Sequence, residues 1–118
     1  MKVLMASSEC APFFKTGGLG DVIEALPKAL KKKNVDVRVV LPYFSNYMTK
    51  YQCKCEDIAN IEVNVGWRKQ YCWIKKLINE EVTFYFIDNL YYFGREALYG
   101  YYDDGERFAF FQNAIIAV

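Results

Sequence analysis

The 118-residue sequence contains no histidine, only three prolines and four cysteines, and no long apolar run. Without histidine, the commonest metal ligand and the side chain that ordinarily titrates near neutrality are both missing. A closed zinc site would then need all of Cys10, Cys53, Cys55 and Cys72, of which only Cys53 and Cys55 are close in sequence, so no metal is expected. The longest apolar stretches, such as Val82 to Ile87 and Phe108 to Phe111, fall far short of the ~20 residues that span a bilayer, and no membrane partner is expected. Met1 to Ala6 is also too short for the apolar segment of a secretory signal before Ser7-Ser8-Glu9 turns polar. These features predict a cytoplasmic chain with free thiols. An excess of either charge is missing too. The 15 basic and 14 acidic residues leave a net +1, which selects neither nucleic acid nor an anionic surface.

What is present suits one globular domain: 53% hydrophobic and 25% charged residues over a length that allows a single core. Val3 to Ala6 and Val35 to Leu41 read as buried parallel strands, the second stopped by Pro42. Between them Leu19, Val22, Ile23, Leu26 and Leu30 recur at helical spacing as one apolar stripe, and Lys28, Lys31, Lys32 and Lys33 complement the helix C-terminus. Pro27 predicts a bend near Ile23 rather than a break. Ile58 to Trp67 and Gln70 to Ile78 read as a hairpin turning near Trp67-Arg68-Lys69, and Val82 to Ile87 as a further strand after a Glu80-Glu81 turn. The fold class expected is α/β: a Rossmann-like three-layer domain with a mainly parallel sheet and an inserted β-hairpin.

A tyrosine-rich loop spans Tyr91 to Tyr102, and a final helix opens at Asp103-Asp104-Gly105-Glu106-Arg107, with Asp103 and Arg107 as an i, i+4 pair. Phe108, Phe111, Ala114, Ile115 and Val118 continue at helical spacing with no stop signal after them, so the chain reads as cut from something longer. Phe108, Phe111, Ile115 and Ile116 would then form an uncovered apolar surface that invites self-association.

The connection from Ser7 to Gly20 holds about a dozen residues, where α/β units usually use two to six. It carries Lys15, Gly17, Gly18 and Gly20 and opens into a helix start, so exposed backbone N–H groups, the helix dipole and a full positive charge converge as an anion site would need. Neither the dinucleotide glycine spacing nor the P-loop order of glycine and lysine fits. Asp88 ends its strand where such proteins place ligand-facing loops, or caps the turn that follows.

Lys15, Gly17, Gly18 and Leu19 match the Lys-x-Gly-Gly-Leu signature, and by this the chain resembles bacterial glycogen synthases and plant starch synthases. Ser8-Glu9, Ala25 to Leu30, Val37-Arg38-Val39 with Leu41-Pro42-Tyr43, Phe86-Ile87-Asp88, Tyr99-Gly100 and Arg107-Phe108 follow in family order. The resemblance implies a glycosyltransferase-B architecture of two Rossmann-like domains facing a cleft. Residues 1–118 would form part of the N-terminal, glucan-acceptor-side domain, with the C-terminal nucleotide-binding domain absent. The implied reaction moves glucose from ADP-glucose to the non-reducing end of an α-1,4-glucan with retention, using no metal or other cofactor. Lys15 would neutralise donor phosphate, Gly17 and Gly18 would offer backbone N–H groups, Asp21 would accept hydrogen bonds from sugar hydroxyls, and Tyr99 would lie on the acceptor side. No catalytic residue is assigned within the chain, because the family's histidine and nucleotide-holding residues fall later, and the fragment is expected to be inactive.

The residues by themselves leave other readings open. Asp21 is also an ordinary helix-start carboxylate, and Tyr99 is one of 10 tyrosines. A nicotinamide-dependent oxidoreductase would use Asp36 as its ribose acid. A non-catalytic glucan-binding module would use the tyrosines as a sugar platform.

Overall fold

Alternating apolar residues set the central strands in the computed structural model, which describes residues 1–117. In β2 (Asp36–Pro42), Val37, Val39 and Leu41 face one side and are fully buried, while Val40 is buried on the other. β5 (Val82–Asp88) follows the same rule, with Val82, Phe84 and Phe86 on one face and Ile87 on the opposite one. A strand buried on both faces needs a layer on each side. β1 (Lys2–Ala6) pairs in parallel with β2, and β2 in parallel with β5. The expected hairpin, β3 (Glu56–Val65) and β4 (Arg68–Asn79), joins the same sheet through an antiparallel β4–β5 ladder. The order is β1-β2-β5-β4-β3, with two parallel and two antiparallel ladders. α1 (Gly18–Lys31) lies against β2 and β5, and α3 (Asp104–Ala117) against β3 and β5, completing the three layers.

Three local expectations change. The β3–β4 turn is Gly66-Trp67, because Gly66 takes the positive φ of +60° at the first central position and leaves Arg68 and Lys69 in the ladder. β2 runs on through Pro42, which stays in register with Ile87 because the Tyr43 N–H after it donates to the Ile87 carbonyl at 2.7 Å. A short helix not read from the sequence, α2 (Leu90–Phe93), follows β5; Asn89 caps it by accepting from the Tyr92 N–H at 3.2 Å, which leaves Asp88 outside the cap.

α1 passes through Pro27 without a break, but its apolar residues split. Gly20, Ile23 and Pro27 face the sheet and are buried, whereas Leu19, Val22 and Leu26 are 48%, 53% and 42% exposed. The buried face is thus displaced by about one residue, roughly 100°, from the centre of the apolar stripe. Gly20 lies on that face, where an added Cβ would stand 2.5 Å from the Lys15 Cβ.

α3 departs from expectation in the other direction. Phe110, Phe111 and Ala114 are buried, Phe108 and Ile115 are partly buried against the core, and only Ile116 of the expected surface is wide open at 83%. Val118, the last member of the expected stripe, lies outside the described residues. Arg107 is fully buried and pairs with Asp104 at 2.8 Å, not with Asp103, which is held by Arg95 at 2.5 Å. The physical reason is coverage: Arg107 Nε and Nη1 donate to the carbonyls of Tyr92 (2.7 Å) and Leu98 (3.1 Å), binding the tyrosine-rich loop to α3.

The β4–β5 turn stores backbone strain, since Glu80 and Glu81 both take positive φ (49° and 70°), a geometry suited to asparagine and glycine. Glu81→Gly is therefore expected to stabilise the chain by about 1 kcal/mol, read as a raised midpoint in thermal or urea unfolding. An unchanged or lowered midpoint would show that the turn carries no such strain.

Candidate functional site

The loop after β1 leaves the C-terminal edge of the parallel strands, the side on which α/β sheets bind ligands. It is pinned before it reaches Lys15. Cys10 bridges to Phe14, Phe13 packs edge-on against Tyr51, Phe84 and Phe86, and Phe14 packs edge-on against Phe44. Burial of these two phenylalanines holds the loop to the core and leaves Lys15 to Leu19 exposed beyond it.

Glu9 organises that segment. Its side chain is almost wholly buried, and Oε2 accepts the Thr16 N–H at 2.7 Å and the Gly17 N–H at 3.3 Å. Oε1 accepts from the Thr16 hydroxyl at 3.0 Å and from the Tyr99 hydroxyl at 2.9 Å. Tyr99 also contacts Ser8 Oγ at 2.6 Å, so a residue 90 positions away is drawn to the start of the loop. Burial alone would raise the Glu9 pKa, but the donors from Thr16, Tyr99 and Gly17 outweigh it and hold the carboxyl below its ordinary 4.5. Burial, with the Glu9 charge adding to it, raises the Tyr99 phenol, which stays a neutral donor.

Lys15, Gly17, Gly18, Asp21 and Tyr99 therefore sit around one corner of the sheet. Lys15 Nζ is bound to Asp21 Oδ1 at 2.7 Å with both groups largely in solvent, and this partner raises the lysine pKa. The Gly17 amide is already engaged by Glu9, and no side chain caps the helix start, so the first-turn amides beginning at Gly18 face outward. An added Cβ at Gly17 or Gly18 would meet nothing within 4 Å, so these two glycines are not required by packing inside this chain. Neighbouring Cys10 is no nucleophile: burial pushes its thiol up to about 12.

Other candidates fall away from this corner. Asp36 is the first residue of β2, paired with Lys2, which puts it at the opposite edge of the sheet from the loop. A ribose-binding acid would have to lie at the strand's other end. Asp88 is at the correct edge but mostly buried on the far side of β2, 3.9 Å from Lys75, with its pKa raised by burial. Sequence reasoning missed Glu9 as the organising residue. Its signals were its place in the family match and an acid just before a glycine-rich loop, but its bond to Tyr99 is visible only in three dimensions.

Comparison with known proteins follows the same lines. The family described as the starch synthase catalytic domain matches residues 2–118. The chain is 61% identical to a glycogen synthase of Ligilactobacillus salivarius (strain UCC118) over 98% of its length and 25% of that protein. It is 59% identical to a glycogen synthase of Streptococcus pneumoniae (strain 70585), again over 98% of this chain and 24% of the relative. The chain thus spans about a quarter of the length of the curated relatives it matches. Among solved structures, the catalytic domain of starch synthase IV from Arabidopsis thaliana, bound to ADP and acarbose, superposes with a TM-score of 0.79 at 30% identity, covering 98% of this chain and 24% of that one.

Glu9→Ala is expected to free the Thr16 and Gly17 amides, seen as at least about tenfold faster hydrogen exchange there with β2 amides unaffected. The same loosening follows acid. A carboxyl held below its ordinary value stabilises the loop fully above 4.5 and loses that contribution as pH falls through the lower, folded-state value. Exchange at Thr16 that is indifferent to both changes would remove Glu9 from this role.

Proposed function

Because this chain belongs to the starch synthase catalytic domain family, we propose that it forms part of the glucan-acceptor-side domain of an ADP-glucose-dependent, retaining α-1,4-glucan synthase. The nucleotide-binding domain lies outside residues 1–118 in this reading. The observation that carries it is the convergence at Glu9, which binds the lysine–glycine loop and Tyr99 into one corner with hydrogen bonds of 2.7 to 3.3 Å.

Transfer of glucose from a nucleoside diphosphate leaves negative charge on the departing diphosphate, and fixed donors aimed at that charge lower the barrier. Lys15 supplies a full charge once it exchanges Asp21 for phosphate, and the amides from Gly18 onward add the partial charge of the helix start. Gly17 contributes in a second way, as an open backbone position beside the ligand whose N–H anchors the loop to Glu9. Asp21, released from Lys15, accepts hydrogen bonds from sugar hydroxyls. Tyr99 offers its ring and hydroxyl to the acceptor glucan from a fixed position, since Ser8 and Glu9 hold its Oη. These residues bind and orient; the group that acts at the anomeric carbon lies outside the chain.

Two consequences follow for the 118 residues alone. With one wall of the cleft, they cannot hold donor and acceptor together, so the isolated chain is inactive. The open Leu19, Val22 and Leu26 stripe supports self-association of that chain, in place of the final helix. The cytoplasm, with its reducing poise, suits the four free cysteines and is the compartment assigned here.

In the full-length protein carrying this chain, Lys15→Ala is expected to lower turnover with ADP-glucose and a glycogen primer by roughly 10²-fold or more, at an unchanged melting temperature. Undiminished turnover would reduce Lys15 to a surface lysine, and glucose incorporation by residues 1–118 alone would overturn the assignment of a half-site.

A further inference from the structure

Tyr99 lies in the stretch from Gly94 to Asp103, which is neither helix nor strand, yet its backbone is bound on both sides. The two side chains that bind it come from one turn of α3. Asp104 Oδ2 accepts the Gly100 N–H at 2.8 Å, and Oδ1 accepts the Tyr101 N–H at 3.1 Å. Arg107 Nη1 donates to the Leu98 carbonyl at 3.1 Å and to Asp104 Oδ1 at 2.8 Å, which joins the two side chains to each other. The backbone groups that bracket Tyr99, one before it and two after, thus end on a single carboxylate–guanidinium pair.

A helix start does not ask for this arrangement. A carboxylate that caps a helix accepts amides two or three residues ahead of it. Asp104 turns back instead, to amides four and three residues behind it, so its bonds fix the loop. Burial would push its carboxyl up, but the Gly100 N–H, Arg107 and the Tyr101 N–H outweigh that and hold it below its ordinary 3.8, so it stays a charged acceptor.

We propose that Asp104 is a positioning residue for transfer: with Arg107, and without touching the glucan, it fixes the backbone of Tyr99, given the acceptor-side role proposed above for that tyrosine. Ser8 and Glu9 hold only the hydroxyl, at the far end of the side chain. With that end alone fixed, an unrestrained loop would let the ring pivot about its Oη. Phe108 of α3 lies behind the ring at a centroid distance of 5.9 Å, so α3 supports both the ring and the backbone while the loop after β1 holds the hydroxyl. A binding side chain has to be held to within about 0.5 Å, and affinity is lost to ordering the loop wherever it is not. The loss falls on the acceptor and not on the donor, because Thr16 and Gly17 beside Lys15 are held by Glu9, independently of α3.

In the full-length protein carrying this chain, Asp104→Asn keeps the shape of the side chain and removes its charge and one acceptor oxygen. The KM for maltoheptaose as acceptor is expected to rise by about tenfold, with kcat and the KM for ADP-glucose within about twofold of the parent. Asp104→Ser, which retains a shorter acceptor, carries the same expectation should Asp104→Asn not fold. Asp103→Asn makes the same charge change one residue earlier, where the partner is Arg95, and is expected to leave the acceptor KM within about twofold. In a Tyr99→Ala background, Asp104→Asn should add nothing to the acceptor KM, because two residues acting through one position are not additive. The positioning role is overturned by equal rises from Asp103→Asn and Asp104→Asn, or by a rise that persists undiminished in the Tyr99→Ala background. Tyr99→Ala alone tells the remaining failures apart. An acceptor KM that it leaves unaltered removes the acceptor-side reading of Tyr99 and the role of Asp104 with it, whereas a rise there with none from Asp104→Asn removes Asp104 only.

Discussion

One buried carboxylate holds the candidate functional corner of this molecule together. Glu9 gathers two backbone amides and two hydroxyls, from Thr16, Gly17 and Tyr99, which lie before α1 and far along the chain after β5. A carboxylate out of water is costly unless its oxygens are filled, and filling them is what bends the loop back and draws the distant tyrosine in. The cost of burying the charge and the geometry of the site are thus one constraint. Gly20 serves the same constraint from the other side: its absent side chain admits Lys15, and an added Cβ would also approach Glu9 Oε2 at 3.2 Å.

Aromatic packing carries that constraint into the core. Phe13 rests on the β5 rings Phe84 and Phe86, and Phe14 on Phe44, which in turn meets Phe93 of α2. Phe93 lies against Phe108, Phe110 and Phe111 of α3, so an unbroken series of rings runs from the loop to the final helix. Arg107 lies within this series, its guanidinium 5.0 to 5.9 Å from the rings of Tyr101, Phe108, Phe93 and Phe44 while it binds the carbonyls of the tyrosine-rich loop. A cation can be buried here because ring faces and carbonyl oxygens supply the negative potential that water would otherwise give. Tyr99 owes its position to both ends, Glu9 at its hydroxyl and Arg107 behind its loop.

The sequence by itself determined the pieces with a strong local period or a backbone demand. Alternation in Val37 to Leu41 and Val82 to Ile87 specifies strands, the spacing of α1 specifies a helix through Pro27, and the glycines after Lys15 specify an open loop at a helix start. These properties arise from residues within a few positions of one another. Which face each helix turns inward was decided only by tertiary structure. The apolar stripe of α1 was legible, yet its Leu19, Val22 and Leu26 lie outside while Gly20, Ile23 and Pro27 face the sheet, and the final helix buries an arginine that its charge would have placed in solvent. The hairpin turn was displaced by two polar residues that look like a loop but are held in register by their cross-strand partners. The site divides in the same way. Lys15, Gly17 and Gly18 are local and were legible as a group, whereas Asp21 and Tyr99 entered only through the family resemblance, and the hydrogen bond by which Glu9 ties Tyr99 to the loop, across 90 positions, leaves no period and no spacing in the sequence.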